Sequence, residues 1–183
     1  MTYYGAKELA ESFRTVRKNT LLVAQDIPED KYSFAAASNT RTIEKMLTHI
    51  ALGYRFQYQI NAVERLSNLE KFDFMGLFQQ MGAEEAKPRN KAAVIDLLTK
   101  EGEIWANFVA GASEEFLGQS VTFPQGATPP AKSRLELIIS VKEHEMHHRG
   151  QVMLIERMIG IVPHLTRQMQ ERMAQHQAPA SKS

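Results

Sequence analysis

The chain has 183 residues, of which 43% are hydrophobic and 23% charged, a balance that is typical of a folded globular domain and excludes a largely disordered chain. Its formal net charge of +1 provides no overall attraction to phosphate backbones or anionic lipid, so nucleic acid and membranes are not expected partners. The absence of cysteine excludes disulfides, thiolate metal ligands and a thiol nucleophile supplied by the protein.

Two long helices are predicted in the first third of the chain. An apolar face extends from Leu9 to Val23 in alternating steps of four and three residues, and residues 25–28, which end in proline, stop this helix. The second helix is predicted to begin at Thr42, which can cap a helix N-terminus, with Glu44 in the first turn where the helix dipole favours a carboxylate. The apolar positions of the second helix are Ile43, Met46, Leu47, Ile50 and Tyr54.

Two further long helices are predicted in the second half. The third covers residues 91–109, where apolar side chains again recur at helical spacing. The fourth starts after the two prolines at 129–130 and continues to about Ile159, where Gly160 and Pro163 end it. A short polar helix is expected to follow.

The two long connections differ in composition. Residues 68–90 contain several large apolar side chains, so we expect this segment to pack over one end of the helices with a short helix of its own. Residues 111–130 are rich in glycine and proline, which suits an irregular crossover, and no strand is predicted. The predicted fold is therefore all-α, a four-helix bundle with a long crossover connection.

The helical pattern fits one domain over residues 1–176, followed by a frayed tail at residues 177–183. The N-terminal segment lacks the apolar core of a signal peptide, and no run approaches the ~20 apolar residues that a membrane-spanning helix needs. We therefore expect a cytoplasmic protein.

Two histidines occur on the inward face of the fourth helix. His144 and His148 fall in one row with core positions, and the row's other members are Leu137, Val141, Val152, Ile155 and Ile159. Residues four apart on a helix have Cβ atoms roughly 5–6 Å apart, so both imidazoles can reach one divalent ion. Without an ion, each buried imidazole would need hydrogen-bond partners of its own. The spacing therefore favours a metal site.

A catalytic metal usually has three protein ligands, so a third residue is needed. His49 is the best choice, because it can face the bundle interior and Gly53 leaves space next to it. The alternative is that His49 is an ordinary core histidine with satisfied hydrogen bonds. The other histidines are expected at the surface, and they are His147, His164 and His176.

Residues 144–148 also match the H-E-x-x-H helix of zinc peptidases, in which Glu145 would be the general base. A protease is disfavoured, because Gln151 and Leu154 stand where metzincins have glycine and histidine. Three roles remain open for Glu145: a catalytic base, a residue that orients an imidazole, or a solvated helix residue. The aromatic segment at residues 72–78 is expected either to line a pocket or to belong to the core.

The stretch HEMHHRGQVMLIERMIGIVP, residues 144–163, resembles the signature of the DinB/YfiT-like family of small helical proteins. The stretch RTIEKMLTHIAL, residues 41–52, is similar to that family's other characteristic segment. The resemblance implies a four-helix bundle, often dimeric, whose divalent metal is held by three histidines. Carried over by position, these are His49, His144 and His148.

The resemblance also implies two kinds of activity, since related families include transferases that use low-molecular-weight thiols and metal-dependent hydrolases. We therefore expect a homodimeric enzyme with zinc or nickel, acting on a small-molecule substrate, with a small thiol as co-substrate in the transferase version. The alternative is a non-catalytic metal-binding protein of the stress response. Three ligands leave a coordination position open, whereas a structural metal site usually has four, so the pattern favours the enzyme.

Overall fold

Eight helices occur in the computed structural model, which describes residues 4–177 of the chain. They are α1 (Ala6–Asp26), α2 (Ile43–Leu52), α3 (Arg55–Tyr58), α4 (Phe74–Ala86), α5 (Lys91–Ala110), α6 (Glu114–Gly118), α7 (Arg134–Met158) and α8 (His164–Gln177). The four longest predicted helices correspond to α1, α2, α5 and α7, and α1 and α2 each pack against both α5 and α7. The predicted all-α bundle is thus confirmed.

The helix starts follow from capping residues that the sequence provides. Thr42 caps α2 as predicted, because its hydroxyl accepts a hydrogen bond from the Lys45 amide. Ser133 caps α7 and forms a reciprocal capping box with Glu136, so this helix begins a few residues beyond the proline pair. These caps fix where α2 and α7 enter the bundle, and therefore where their histidines lie.

The apolar core consists of two main clusters. One joins α1, α2, α5 and α7 and includes the fully buried side chains of Leu47, Val94 and Val152. The other joins α1, α5, α6 and α7 around Trp105 and Ile138. A buried Leu or Ile side chain contributes about 1.5–3 kcal/mol, so these clusters hold the helices in register independently of any metal.

The connection predicted at residues 68–90 contains a helix that packs against the bundle. After α3 the chain continues through one π-helical turn, Gln59–Val63, and then through α4, which packs against α2. The Lys45 ammonium on α2 donates to three backbone carbonyls at the end of α4, those of Glu85, Ala86 and Lys87. The predicted short helix within residues 68–90 is confirmed, and its C-terminal end is fixed against α2.

The expectation that no strand occurs was wrong. The crossover contains two short antiparallel strands, β1 (Ser120–Thr122) and β2 (Ala131–Ser133), with Val121 paired to Lys132. Val121 is fully buried and packs in a small cluster with Leu69 and Leu137. One buried side chain in a three-residue strand gives no detectable alternation, which is why the sequence pattern missed it.

The predicted polar helix near the C-terminus is confirmed as α8. The prediction that His164 lies at the surface was wrong. His164 is only 4% exposed, and its Nε2 contacts Asn19 Oδ1 at 3.4 Å. Residues 178–183 of the predicted tail lie outside the described residues, so the domain boundary stays a prediction. No helix within residues 4–177 is both long and apolar enough to cross a membrane.

Glu156 on α7 is fully buried, and neither of its carboxylate oxygens has a hydrogen-bond partner within residues 4–177. Burial raises the pKa of this carboxyl from 4.5 to about 7, and the charge of Asp26 adds to the shift. The unfolded chain loses the proton near pH 4.5, whereas the folded protein keeps it until about pH 7. The folded state thus binds the extra proton between these values, and stability falls as the pH rises through them.

Glu156→Gln keeps the shape of the side chain and removes the charge. The variant is expected to gain stability relative to the unchanged protein between about pH 5 and about pH 8, by up to about 3 kcal/mol. Urea unfolding of both proteins at the two pH values measures this gain, and any pH-independent effect of the amide cancels. A difference in unfolding free energy that is the same at both pH values would contradict the prediction.

Candidate metal centre

Three histidines from two helices converge at one position in the bundle. His49 on α2 and His144 and His148 on α7 each offer a ring nitrogen, and these nitrogens all lie within 4.8 Å of one another. The Nε2 atoms of His49 and His144 are 3.1 Å apart. The sequence selected the same three residues, and as a group they can hold a metal ion. Their role as ligands stays a prediction.

Gly53, at the C-terminal end of α2, makes room for one of these rings. A Cβ atom at this position would lie 2.7 Å from Cε1 and 2.8 Å from Nδ1 of His144. The sequence indicated free space beside His49, whereas the space is taken by His144. The absence of a side chain at position 53 therefore allows α2 and α7 to approach while both carry an imidazole.

Gly53→Ala is expected to displace the His144 ring and to weaken metal binding by about tenfold or more, since a change of this kind near a ligand typically has such an effect. The backbone at Gly53 is right-handed helical, so alanine adds steric conflict without backbone strain. Competition with a chromogenic chelator measures the affinity. Gly150→Ala is the matched control, because a Cβ there meets nothing within 4 Å; equal affinities for the two variants would contradict the prediction.

Two of the three histidines are oriented by hydrogen bonds to their Nδ1 atoms. Nδ1 of His49 lies 2.9 Å from Glu85 Oε2, and Nδ1 of His148 lies 2.8 Å from Gln151 Oε1. Because carboxylate and amide oxygens only accept, both neutral rings carry their proton on Nδ1 and have an unprotonated Nε2, which in His49 faces Nε2 of His144. Ligating histidines in metalloproteins commonly have such an acceptor on the other nitrogen.

Glu85 was missed in the sequence, although it is the acceptor for His49. It lies near the end of α4, in a segment interpreted only through its apolar residues. The available signal was a glutamate pair at positions 84 and 85 within that segment. The spacing along the chain could not reveal that α4 folds back on α2 and brings one of the pair to His49.

The site favours neutral imidazoles and an ionised carboxylate. Burial lowers the pKa of His144 to about 4, and the neighbouring His148 and His49 add to this. Burial also lowers the pKa of His148. Burial acts to raise the pKa of Glu85, but hydrogen bonds from His49 and Arg41 outweigh it and bring the pKa to about 2. At neutral pH, His144 and His148 are therefore in the form that binds metals.

Two cavities border the histidine cluster. The first, here called the apolar cavity, has a volume of about 370 Å³ and is lined by His49 and His144 together with Phe56, Phe78, Met81 and Val141. The second, here called the polar cavity because it is the more polar of the two, has a volume of about 850 Å³. It is lined by His148, Gln151, Ser38, Asn39 and Thr40 and also by the apolar side chains of Ala36, Met46 and Ile155. The three histidines thus lie between two spaces that a small molecule can enter.

The aromatic segment at residues 72–78 has both of its expected roles. Phe78 lines the apolar cavity and stacks on Phe56 with ring centroids 5.4 Å apart. Phe72 and Phe74 also pack against Phe56, with ring centroids 6.2 Å and 5.9 Å from its own. The segment is therefore part cavity wall and part core.

Glu145 faces away from the histidines and toward α1. It is 3% exposed, it accepts hydrogen bonds from Arg17 Nε at 3.0 Å and Nη2 at 2.9 Å, and it accepts one from the Thr20 hydroxyl at 2.6 Å. The expectation of a solvated residue was wrong, and no hydrogen bond joins Glu145 to an imidazole among the described residues. Because both oxygens are occupied, these contacts give no support to Glu145 as a catalytic base.

The other polar residues of the motif lie outside the histidine cluster. Arg149 is buried on the same side of α7 as Glu145, and its Nη1 donates to the carbonyl of Val16 on α1. His147 is exposed as predicted, and its Nε2 lies 3.2 Å from Gln151 Nε2. His176 is exposed as well. The motif thus divides between a face that contacts α2 and a face that contacts α1.

The comparisons with known proteins agree with this fold. A family model described as the DinB superfamily matches residues 12–152. The structure is similar to the crystal structure of a DinB-like protein, YjoA, from Bacillus subtilis, with a TM-score of 0.60 and 20% sequence identity over 84% of this chain and 92% of that chain. No curated protein sequence matches this chain.

Proposed function

The chain belongs to the DinB superfamily, and from this membership and the geometry of the histidine cluster we propose that it is a divalent-metal-dependent enzyme acting on a small molecule. The proposed metal is zinc or nickel, with His49, His144 and His148 as ligands. The proposed reaction is either transfer of a low-molecular-weight thiol or hydrolysis.

The donor set fits a divalent ion. The Nδ1 protons of His49 and His148 are donated to Glu85 and Gln151, so both Nε2 atoms are unprotonated and can coordinate an ion. The low pKa of His144 keeps the third imidazole uncharged at neutral pH. A divalent ion at this position would supply Lewis acidity, which lowers the pKa of water or of a thiol and produces a nucleophile near neutral pH.

One observation favours an enzyme over a structural metal site: the cluster has three candidate ligands and lies between two cavities. A structural site normally has four protein ligands and is closed to solvent. The apolar core joins the two helices that carry the histidines, and the buried Arg17–Glu145 ion pair joins α7 to α1, so the fold has other sources of stability. An open site beside a cavity is what binding of a small substrate requires.

The protein's own residues would position and desolvate the reactants. Glu85 and Gln151 would hold the rings of His49 and His148 in one orientation, beside the buried ring of His144. Phe56, Phe78 and Met81 would receive the apolar part of a substrate and exclude water from it. Bringing the reactants together in a fixed orientation lowers the entropic part of the barrier.

Cobalt substitution tests the proposal and separates its two versions. If the protein is a thiol transferase, then adding 2-mercaptoethanol or L-cysteine to the cobalt-loaded protein should produce a sulfur-to-cobalt charge-transfer band. If it is a hydrolase, the thiols should leave the spectrum unchanged, and the metal-loaded protein should hydrolyse 4-nitrophenyl esters while His144→Ala does not. Absence of both results would contradict an enzyme and favour the non-catalytic alternative.

We also propose that the protein is a homodimer, as the family resemblance implies, and that it is located in the cytoplasm. Support for a dimer comes from exposed apolar side chains on two neighbouring helices: Leu154 and Met158 on α7 are 61% and 54% exposed, and Met169 and Met173 on α8 are 59% and 52% exposed. Within each helix the two residues are four apart and share one face, and exposed apolar faces of this kind are typical of protein interfaces.

A further inference from the structure

Arg41, just before α2, lines both the apolar and the polar cavity. Its Nε donates to Glu85 Oε1, and neither terminal nitrogen has a hydrogen-bond partner within residues 4–177. The side chain is 42% exposed. A guanidinium that is hydrogen-bonded only through Nε still has the N–H groups of both terminal nitrogens available as donors. Their rigid planar arrangement matches the geometry of a carboxylate or phosphate.

The charges around Arg41 leave this cation available to a ligand. Glu85 is the only acidic residue that lines the apolar cavity, and no acidic residue lines the polar cavity, among the residues that the structure describes. The neighbouring Glu84 is paired with Lys87 and Arg89 instead. Arg41 and a divalent ion together carry more positive charge than the single negative charge of Glu85 offsets. The site therefore attracts an anion.

The two cavities differ in what they can hold. Phe56, Phe78 and Met81 give the first an apolar wall. The second also has apolar side chains, but it contains hydroxyl and amide groups as well, those of Ser38, Thr40 and Gln151. Arg41 stands where the two linings meet. A ligand that spans both would place an apolar group on one side and a polar, charged group on the other.

We propose that Arg41 binds the oxyanion of an amphipathic small-molecule substrate, a carboxylate or a phosphate, whose apolar group lies against Phe56 and Phe78. This rests on the proposed function, because the histidine cluster between the cavities is what makes such a compound a substrate. Arg41 thus determines specificity for anionic over neutral compounds.

The test measures binding by calorimetry with three probes that share one 3-phenylpropyl group: 4-phenylbutyrate, its neutral amide, and 3-phenylpropyl phosphate. The zinc-loaded and zinc-free forms of the full chain are both titrated. We expect whichever of the two anions binds more tightly to bind at least about tenfold more tightly than the amide. Arg41→Gln should abolish this preference. Arg14→Gln is the matched control, since Arg14 pairs with Glu11 and Glu103 and lines neither cavity.

Three outcomes would overturn the inference: equal binding of anion and amide, a preference that persists in Arg41→Gln, or no binding of any probe. A preference that persists in Arg41→Gln would mean that the ion alone attracts the anion. The carboxylate and phosphate probes show which oxyanion is preferred. Failure of the unchanged protein to bind zinc would contradict the proposed function, while the zinc-free titrations would still test Arg41.

Discussion

Replacing Glu145 by alanine is expected to lower the free energy of unfolding by about 3–5 kcal/mol, because removing one member of a buried ion pair leaves the other charge uncompensated. The side chains of Arg17 and Glu145 are 9% and 4% exposed, so water cannot solvate the remaining guanidinium. Arg17 also donates to the carbonyls of Leu98 on α5 and Ile50 on α2. One residue of α1 is therefore bonded to all three other long helices.

Urea unfolding of zinc-free protein measures this effect without a contribution from metal binding. Glu143→Ala is the matched control, since Glu143 is an exposed residue on the same helix and its loss should change stability by less than about 0.5 kcal/mol. The folded fraction of Glu145→Ala should still bind metal with nearly unchanged affinity. A stable Glu145→Ala variant that has lost activity would instead identify Glu145 as the catalytic base.

Replacing His144 by alanine is expected to weaken metal binding by more than about 100-fold, since loss of a ligand exceeds the 10- to 100-fold effect of losing a ligand's hydrogen-bond partner. The ring of His144 is close to both other rings, with centroids 4.9 Å from His49 and 4.5 Å from His148, and those two centroids are 4.8 Å apart. The variant should fold, because the apolar clusters and the Arg17–Glu145 pair do not involve this side chain.

Metal analysis after gel filtration and chelator competition measure the loss. His147→Ala is the matched control, because His147 is an exposed histidine on the same helix, next to His148 in sequence. Its removal should have little effect on metal affinity. Equal affinities for His144→Ala and His147→Ala would mean that the ion binds elsewhere.

The sequence was sufficient to predict the histidine cluster because two helical periodicities determined it. The four-residue step between His144 and His148 and the position of His49 on the face of α2 depend only on regular helix geometry. Glu85 could not be found in this way, since its approach to His49 depends on the path of residues 59–74 between α3 and α4.

The interpretation of Glu145 illustrates a different limit. The motif H-E-x-x-H associates the glutamate with the metal, but a residue next to His144 on a helix points about 100° away from it. Helix α7 is buried on two sides, with His144 and His148 toward α2 and Glu145 and Arg149 toward α1. The row of apolar residues in the sequence reveals the buried face toward α2. The buried face toward α1 carries polar side chains, so the sequence pattern does not reveal it, and only the contacts with α1 do.

X-ray absorption spectroscopy at the zinc edge of the fully loaded protein tests the central claim most directly. The account predicts one ion per chain with three imidazole nitrogens at about 2.0–2.1 Å, and fewer imidazoles in each of His49→Ala, His144→Ala and His148→Ala. A spectrum with one imidazole or none, or one that these three substitutions leave unchanged, would contradict it.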